Sequence, residues 1–126
     1  MDTIVIVTFL LAHAFVHVAV WAMPRPGAAT QPFDPTRSWV LAAAHVAPAP
    51  ARTASVAAAW TAAALYGSAG VALALDLPVW VGLAAAGAVA GLLLKILWFN
   101  PWLSLGVVLD LGVLLAIAGQ WPTGPY

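Results

Sequence analysis

Apolar residues do not alternate with polar ones along this chain. They run in four long blocks, about 3–22, 53–75, 78–98 and 101–119. Each block approaches or exceeds the ~20 residues that an α-helix needs to cross a bilayer at 1.5 Å per residue. The breaks at Asp76-Leu77-Pro78 and Asn100-Pro101 are tight, and each holds a proline where a helix can start but not continue. Short breaks make neighbouring helices antiparallel. The pattern predicts an all-α fold, a transmembrane four-helix bundle in a single domain over residues 1–126.

The one long break, 23–52, holds six of the ten prolines, which argues against regular structure over most of it. One part predicts order. Asp34 reads as an N-cap and Pro35 as the first helical residue. A short helix over 36–47 then ends before Pro48, with Trp39, Val40 and Ala43 on its apolar side. It is expected to lie in the membrane interface, between the first and second spans.

Composition narrows the class. The chain is 64% hydrophobic and 6% charged, with mean hydropathy +1.02, whereas soluble domains are about 25% charged. Net charge is zero and there is no basic run, so nucleic acid is not an expected partner. The absence of cysteine removes disulfides, thiolate metal sites, iron–sulfur clusters and cysteine nucleophiles. The first block has no positive region before it, and Trp21-Ala22-Met23-Pro24 makes a poor cleavage site, so it reads as a permanent span.

Charge also predicts orientation. Arg25, Arg37 and Arg52 lie in the long connection, and Lys95 lies near the same end of the third span. That end is expected to be cytoplasmic, with both termini outside. Trp21, Trp98 and Trp102 then mark one membrane boundary, and Trp80 and Trp121 the other. Small residues predict close helix approach: Ala59, Ala63 and Gly67 recur at helical spacing, and Gly87 and Gly91 form a GxxxG. No internal repeat supports an inverted-repeat transporter.

The chemistry worth following is inside the membrane. His13 and His17 lie one turn apart on one side of the first span. By span limits, Asp110 shares the midplane depth of His13, and Lys95 shares the depth of His17. A carboxylate at the bilayer centre costs ~3 kcal/mol or more unless it is paired or wetted. Gly106, one turn before Asp110, leaves room for a neighbour, and Tyr66 of the second span is placed to add a hydroxyl.

Three readings compete for the cluster. In the first, His13 and Asp110 make one interhelical hydrogen bond that sets bundle register. In the second, His13, His17, Asp110 and Tyr66 form a site that binds or passes a proton, a cation or a small ligand. In the third, His13 and His17 hold a metal, with Asp110 as a third ligand. Haem would need a facing histidine on a second span, and His45, the remaining histidine, lies in the connection. No cofactor is the leading expectation. Lys95 is expected to snorkel to the headgroups; the functional alternative is that it binds an anionic headgroup with Arg25, Arg37 or Arg52.

Ser55, Ser68 and Ser104 have no base at motif spacing, so no catalytic constellation is legible. A lipid-acting enzyme using His45 or His17 with the arginines is the weakest alternative. The other class is an accessory subunit, partnered with a membrane complex or with copies of itself.

The run Ala12-His13-Ala14-Phe15-Val16-His17, two alanine-rich spans, and then Leu105-Gly106-Val107-Val108-Leu109-Asp110-Leu111 resemble small four-span bacterial membrane proteins, DoxX-like in general layout. The resemblance covers the architecture and about three polar positions. It implies a four-helix bundle in the bacterial cell membrane and no particular activity.

Overall fold

The computed structural model describes residues 2–23 and 33–122. It is all-α: α1 (Asp2–Trp21), α2 (Trp39–Ala43), α3 (Pro48–Ala74), α4 (Trp80–Leu97), a 3₁₀ turn (Pro101–Leu103) and α5 (Ser104–Ala118). Four segments are long and apolar enough to cross a membrane: Asp2–Trp21, Pro48–Ala74, Trp80–Leu97 and Pro101–Ala118. They form the expected four-helix bundle, with α1 against α3, α3 against α4, and α4 against α5. Large side chains such as Ile4, Phe15, Leu105 and Leu115 point outward and are exposed. That is an unfavourable surface in water and an ordinary one in hydrocarbon.

The second span begins earlier than its hydropathy suggests, at Pro48 rather than near residue 53. Prolines 48 and 50 both fall in the first turn, where the missing N–H groups have no intrahelical partner to lose.

The short helix also differs from expectation. It covers Trp39–Ala43, not 36–47, and its N-cap is Ser38, not Asp34. Asp34 instead closes a turn: its Oδ1 accepts from the Thr36 amide at 2.9 Å and the Thr36 hydroxyl at 2.7 Å, and Oδ2 pairs with Arg37 at 3.2 Å. The Thr36 hydroxyl, the Thr36 amide and the Arg37 charge hold the Asp34 carboxyl below the usual carboxylate range. Ser38 prevails as the cap because its hydroxyl works twice. Oγ accepts from the Leu41 amide at 3.3 Å and donates to the Leu97 carbonyl at 2.7 Å. Beside it, Trp39 Nε1 donates to the Ile96 carbonyl at 2.7 Å. Helix α2 thus supplies donors to carbonyls in the last turn of α4, which no later amide of that helix reaches.

Three helices end with a left-handed residue that is not glycine: His45, Asp76 and Gln120, at φ 59°, 56° and 54°. Each stands one residue past its helix cap. The residue after each returns an amide to the helix, Val46 to Leu41 O at 2.9 Å, Leu77 to Ala72 O at 2.9 Å and Trp121 to Ala116 O at 2.9 Å. This 6→1 bond satisfies a carbonyl that the helix leaves free.

Two apolar clusters fill the bundle. Near one end Trp21, Phe33, Leu94, Trp98 and Leu103 meet around Ala59, with the Trp21 and Phe33 rings edge to face at 4.4 Å. Toward the other end Leu10, Ala14, Ala63, Tyr66, Ala69, Ala84 and Ala88 pack together, with Trp80 on their flank. The small-residue row on α3 is only partly used. Ala59 and Ala63 are buried, but a side chain on Gly67 would meet nothing within 4 Å. Gly70 is the glycine that faces α1, where an added Cβ would lie 3.0 Å from Leu11.

Candidate functional site

Four spans each send polar side chains to one buried place. His13 and His17 come from α1, Tyr66 from α3, Lys95 from α4 and Asp110 from α5. Every one is buried, and Asp110 is 0% exposed. It is also the only buried residue of α5.

The glycine pattern explains how five side chains fit. A Cβ on Gly91 would lie 2.5 Å from Asp110 Oδ2 and 2.9 Å from His17 Nε2. A Cβ on Gly87 would lie 3.1 Å from the Tyr66 ring. A Cβ on Gly106 would lie 2.5 Å from Lys95 Cε. The GxxxG of α4 therefore makes space for the cluster as well as for a helix backbone. The room beside Gly106 holds the lysine stem.

Asp110 is the hub. Its Oδ1 accepts from His13 Nε2 at 2.8 Å and from the Tyr66 hydroxyl at 2.8 Å. Its Oδ2 accepts from Lys95 Nζ at 2.7 Å. Lys95 spends its other two protons on His17 Nε2 at 3.0 Å and on the Gly91 carbonyl at 3.3 Å. An ammonium has three donors and no acceptor, so all three are used. His17 Nε2 must accept, which puts its proton on Nδ1, 3.0 Å from the His13 carbonyl that receives it. The rings pack as well: His13 stands edge-on to Tyr66 at 4.7 Å and lies stacked on Phe9 at 5.4 Å.

The expected depth layers, His13 with Asp110 and His17 with Lys95, are both present as contacts, and the Lys95–Asp110 bond fuses them into one network. Lys95 is the correction. It does not snorkel toward headgroups but turns inward and is 5% exposed. A lysine near a helix end ordinarily reaches water; here the carboxylate of Asp110 and the gap beside Gly106 offer a better-satisfied position. The other described cations expected at the headgroups stand apart from this network. Arg37 is exposed and paired with Asp34, and Arg52 is exposed at the start of α3. Arg25 lies outside the described residues. His45 is exposed beyond α2 and does not approach the cluster.

The ligand atoms of His13, His17 and Asp110 lie within 4.8 Å of one another, a donor set that zinc accepts. The Lys95 ammonium, however, already holds the position a cation would take between His17 and Asp110. A metal ion would have to displace it, so this arrangement suits a resident proton-bearing group better than a metal.

Scans against protein-family models, curated proteins and solved structures found no match to this chain.

Proposed function

We propose that the chain is a multi-pass protein of the bacterial cell membrane whose His13/His17/Lys95/Asp110 network, with Tyr66, takes up and passes protons within the bilayer. One observation carries the reading. The hydrogen bonds run without a break from His13 through Asp110 and Lys95 to His17, and three of these four groups line a chamber between α1 and α5. A proton arriving at His17 Nε2 turns that atom from acceptor to donor. Lys95 must then let go of His17, and the Asp110 carboxylate stabilises whichever cation results. A cation as cargo is less well supported, because Lys95 already supplies the positive charge. Following the arginine-rich connection, its end of the bundle is assigned to the cytoplasm and both termini to the outside, with Arg37 and Arg52 available to anionic headgroups.

Proton flux into liposomes containing a trapped pH-sensitive dye tests this. His13→Ala and Asp110→Asn should each reduce the flux of the folded protein at least tenfold. Unchanged flux in both would overturn it.

A second reading rests on a specific observation: α5 is anchored through a single buried residue that binds the side chains of α1, α3 and α4. On that reading the network is a register-setting clasp in an accessory subunit. It predicts wild-type flux no higher than that of empty liposomes, and a larger complex after extraction in mild detergent.

A further inference from the structure

α5 leans on one neighbour. It packs along α4 and hardly touches α1 or α3. Between α1 and α5 lie two chambers of about 480 and 330 Å³ that share Leu109 as a wall. Gly112, Val113 and Ile117 of α5 border the larger one. The fit there is loose, since a Cβ added to Gly112 would meet nothing within 4 Å.

The bonds that cross the gap are polar, and one carboxylate divides them between its two oxygens. Asp110 Oδ1 accepts from His13 of α1 and from Tyr66 of α3, both at 2.8 Å. Asp110 Oδ2 accepts from Lys95 of α4 at 2.7 Å. The first oxygen thus ties α5 to the helices across the gap. The second ties it to the helix on which it already packs. Loss of the Oδ1 bonds frees one side of α5 and leaves the other in place.

The two ends of α5 also differ. Leu103, in the 3₁₀ turn just before it, is buried with Trp21 and Trp98. Asn100, which leads into that turn, is extended at φ −149° and ψ 133°. Beyond Asp110, α5 has no buried residue. Ala118 stands roughly 22 Å along the axis from Leu103 by the helical rise. A tilt about Leu103 therefore moves this far end most. Lipid chains are as apolar as the cleft walls, so they replace lost helix contacts at little cost. Hydrocarbon offers no substitute for the bonds to Oδ1, and these decide whether the cleft stays shut.

We infer that α5 is a gate on the α1/α5 cleft, pivoting near Leu103 and latched through Asp110 Oδ1 to His13 and Tyr66. Whatever takes the acceptor away from Oδ1 opens the cleft toward the lipid. A proton settling on that oxygen does so, because it makes the oxygen a donor. Only this choice of trigger rests on the proton-passing reading; the latch and the pivot do not.

Electron–electron double resonance in nanodiscs tests the gate. The chain has no cysteine, so introduced pairs carry nitroxide labels without background. Val5 and Leu115, both exposed, report the far ends of α1 and α5, and Val16 and Leu105 report the pivot end. Val5 and Val71 report α1 against α3. Each pair is replaced by cysteines in the otherwise native chain and again with His13→Leu/Tyr66→Phe, which leaves the Lys95–Asp110 bond in place. The expected result is a new Val5–Leu115 component longer by about 5 Å or more, one helical turn. The Val16–Leu105 pair should shift less, and the Val5–Val71 pair not at all. If the double variant does not fold, Tyr66→Phe alone decides: it keeps the ring, and the long component should rise above that of the native chain. An unchanged Val5–Leu115 distance, or equal lengthening of all three pairs, would overturn the gate. Proton flux does not enter this readout, so a failure of proton passage leaves the result standing.

Discussion

Lys95 Nζ lies 2.7 Å from Asp110 Oδ2, joining α4 to α5 where the two side chains are 5% and 0% exposed. Charges so placed stabilise a fold only as a pair. Removing one partner strands the other, at a cost of about 3–5 kcal/mol.

The pair therefore predicts strong non-additivity. Lys95→Met and Asp110→Asn should each destabilise the bundle, and the double variant should lose less than the sum of the two. Unfolding in mixed micelles with increasing SDS measures this, with an expected coupling of about 1–3 kcal/mol. Simple additivity would mean that the two charges do not meet.

Gly91 predicts a contrast between glycines. Its added Cβ would fall 2.5 Å from Asp110 Oδ2, whereas a Cβ on Gly67 would meet nothing within 4 Å. Gly91→Ala should cost about 1–3 kcal/mol through forced repacking. Gly67→Ala should be neutral or stabilising by up to about 1 kcal/mol, because alanine is the better helix former. The same SDS titration reads both.

Ser38 predicts that the connection between the first two spans is clamped to α4. Ser38→Ala removes the bond to Leu97 O as well as the cap on the Leu41 amide. It should cost about 1–2 kcal/mol locally and speed hydrogen exchange of the Leu41 amide by tenfold or more. Exchange should be unchanged in the middle of α3, which locates the effect.

Gln120 predicts a gain. It sits at φ 54°, where a side chain is strained and glycine is not. Gln120→Gly should stabilise the end of α5 by up to about 1 kcal/mol, seen as slower exchange of the Trp121 amide. A loss of protection would show that the Gln120 side chain makes a compensating contact.

Much of the fold was legible because the bilayer leaves few choices. Apolar block length gives the spans, and span limits give the depth that matches His13 with Asp110. Lys95 was misread for a physical reason. Near a helix end, position in the chain favours snorkelling, and only the packing of Gly91 and Gly106 shows that an inward path is open. The start of α2 was misplaced because Asp34-Pro35 carries every local mark of a helix start. Ser38 prevails through a partner, Leu97, that is 59 residues away in sequence. The early start of α3 is a further case, since prolines 48 and 50 look like breakers until both fall within one first turn.

The central claim is that a lysine ammonium and an aspartate carboxylate are joined inside the bilayer. Lys95 is the only lysine in the chain, so ¹⁵N labelling of lysine Nζ gives one signal. Solid-state NMR in lipid bilayers, with ¹³C at aspartate Cγ, measures the coupling between the two labels directly. The account predicts strong dephasing of the lysine signal that is lost in Asp110→Asn expressed without ¹³C at residue 110. A lysine signal that is undephased, mobile and exchanging with water would contradict it.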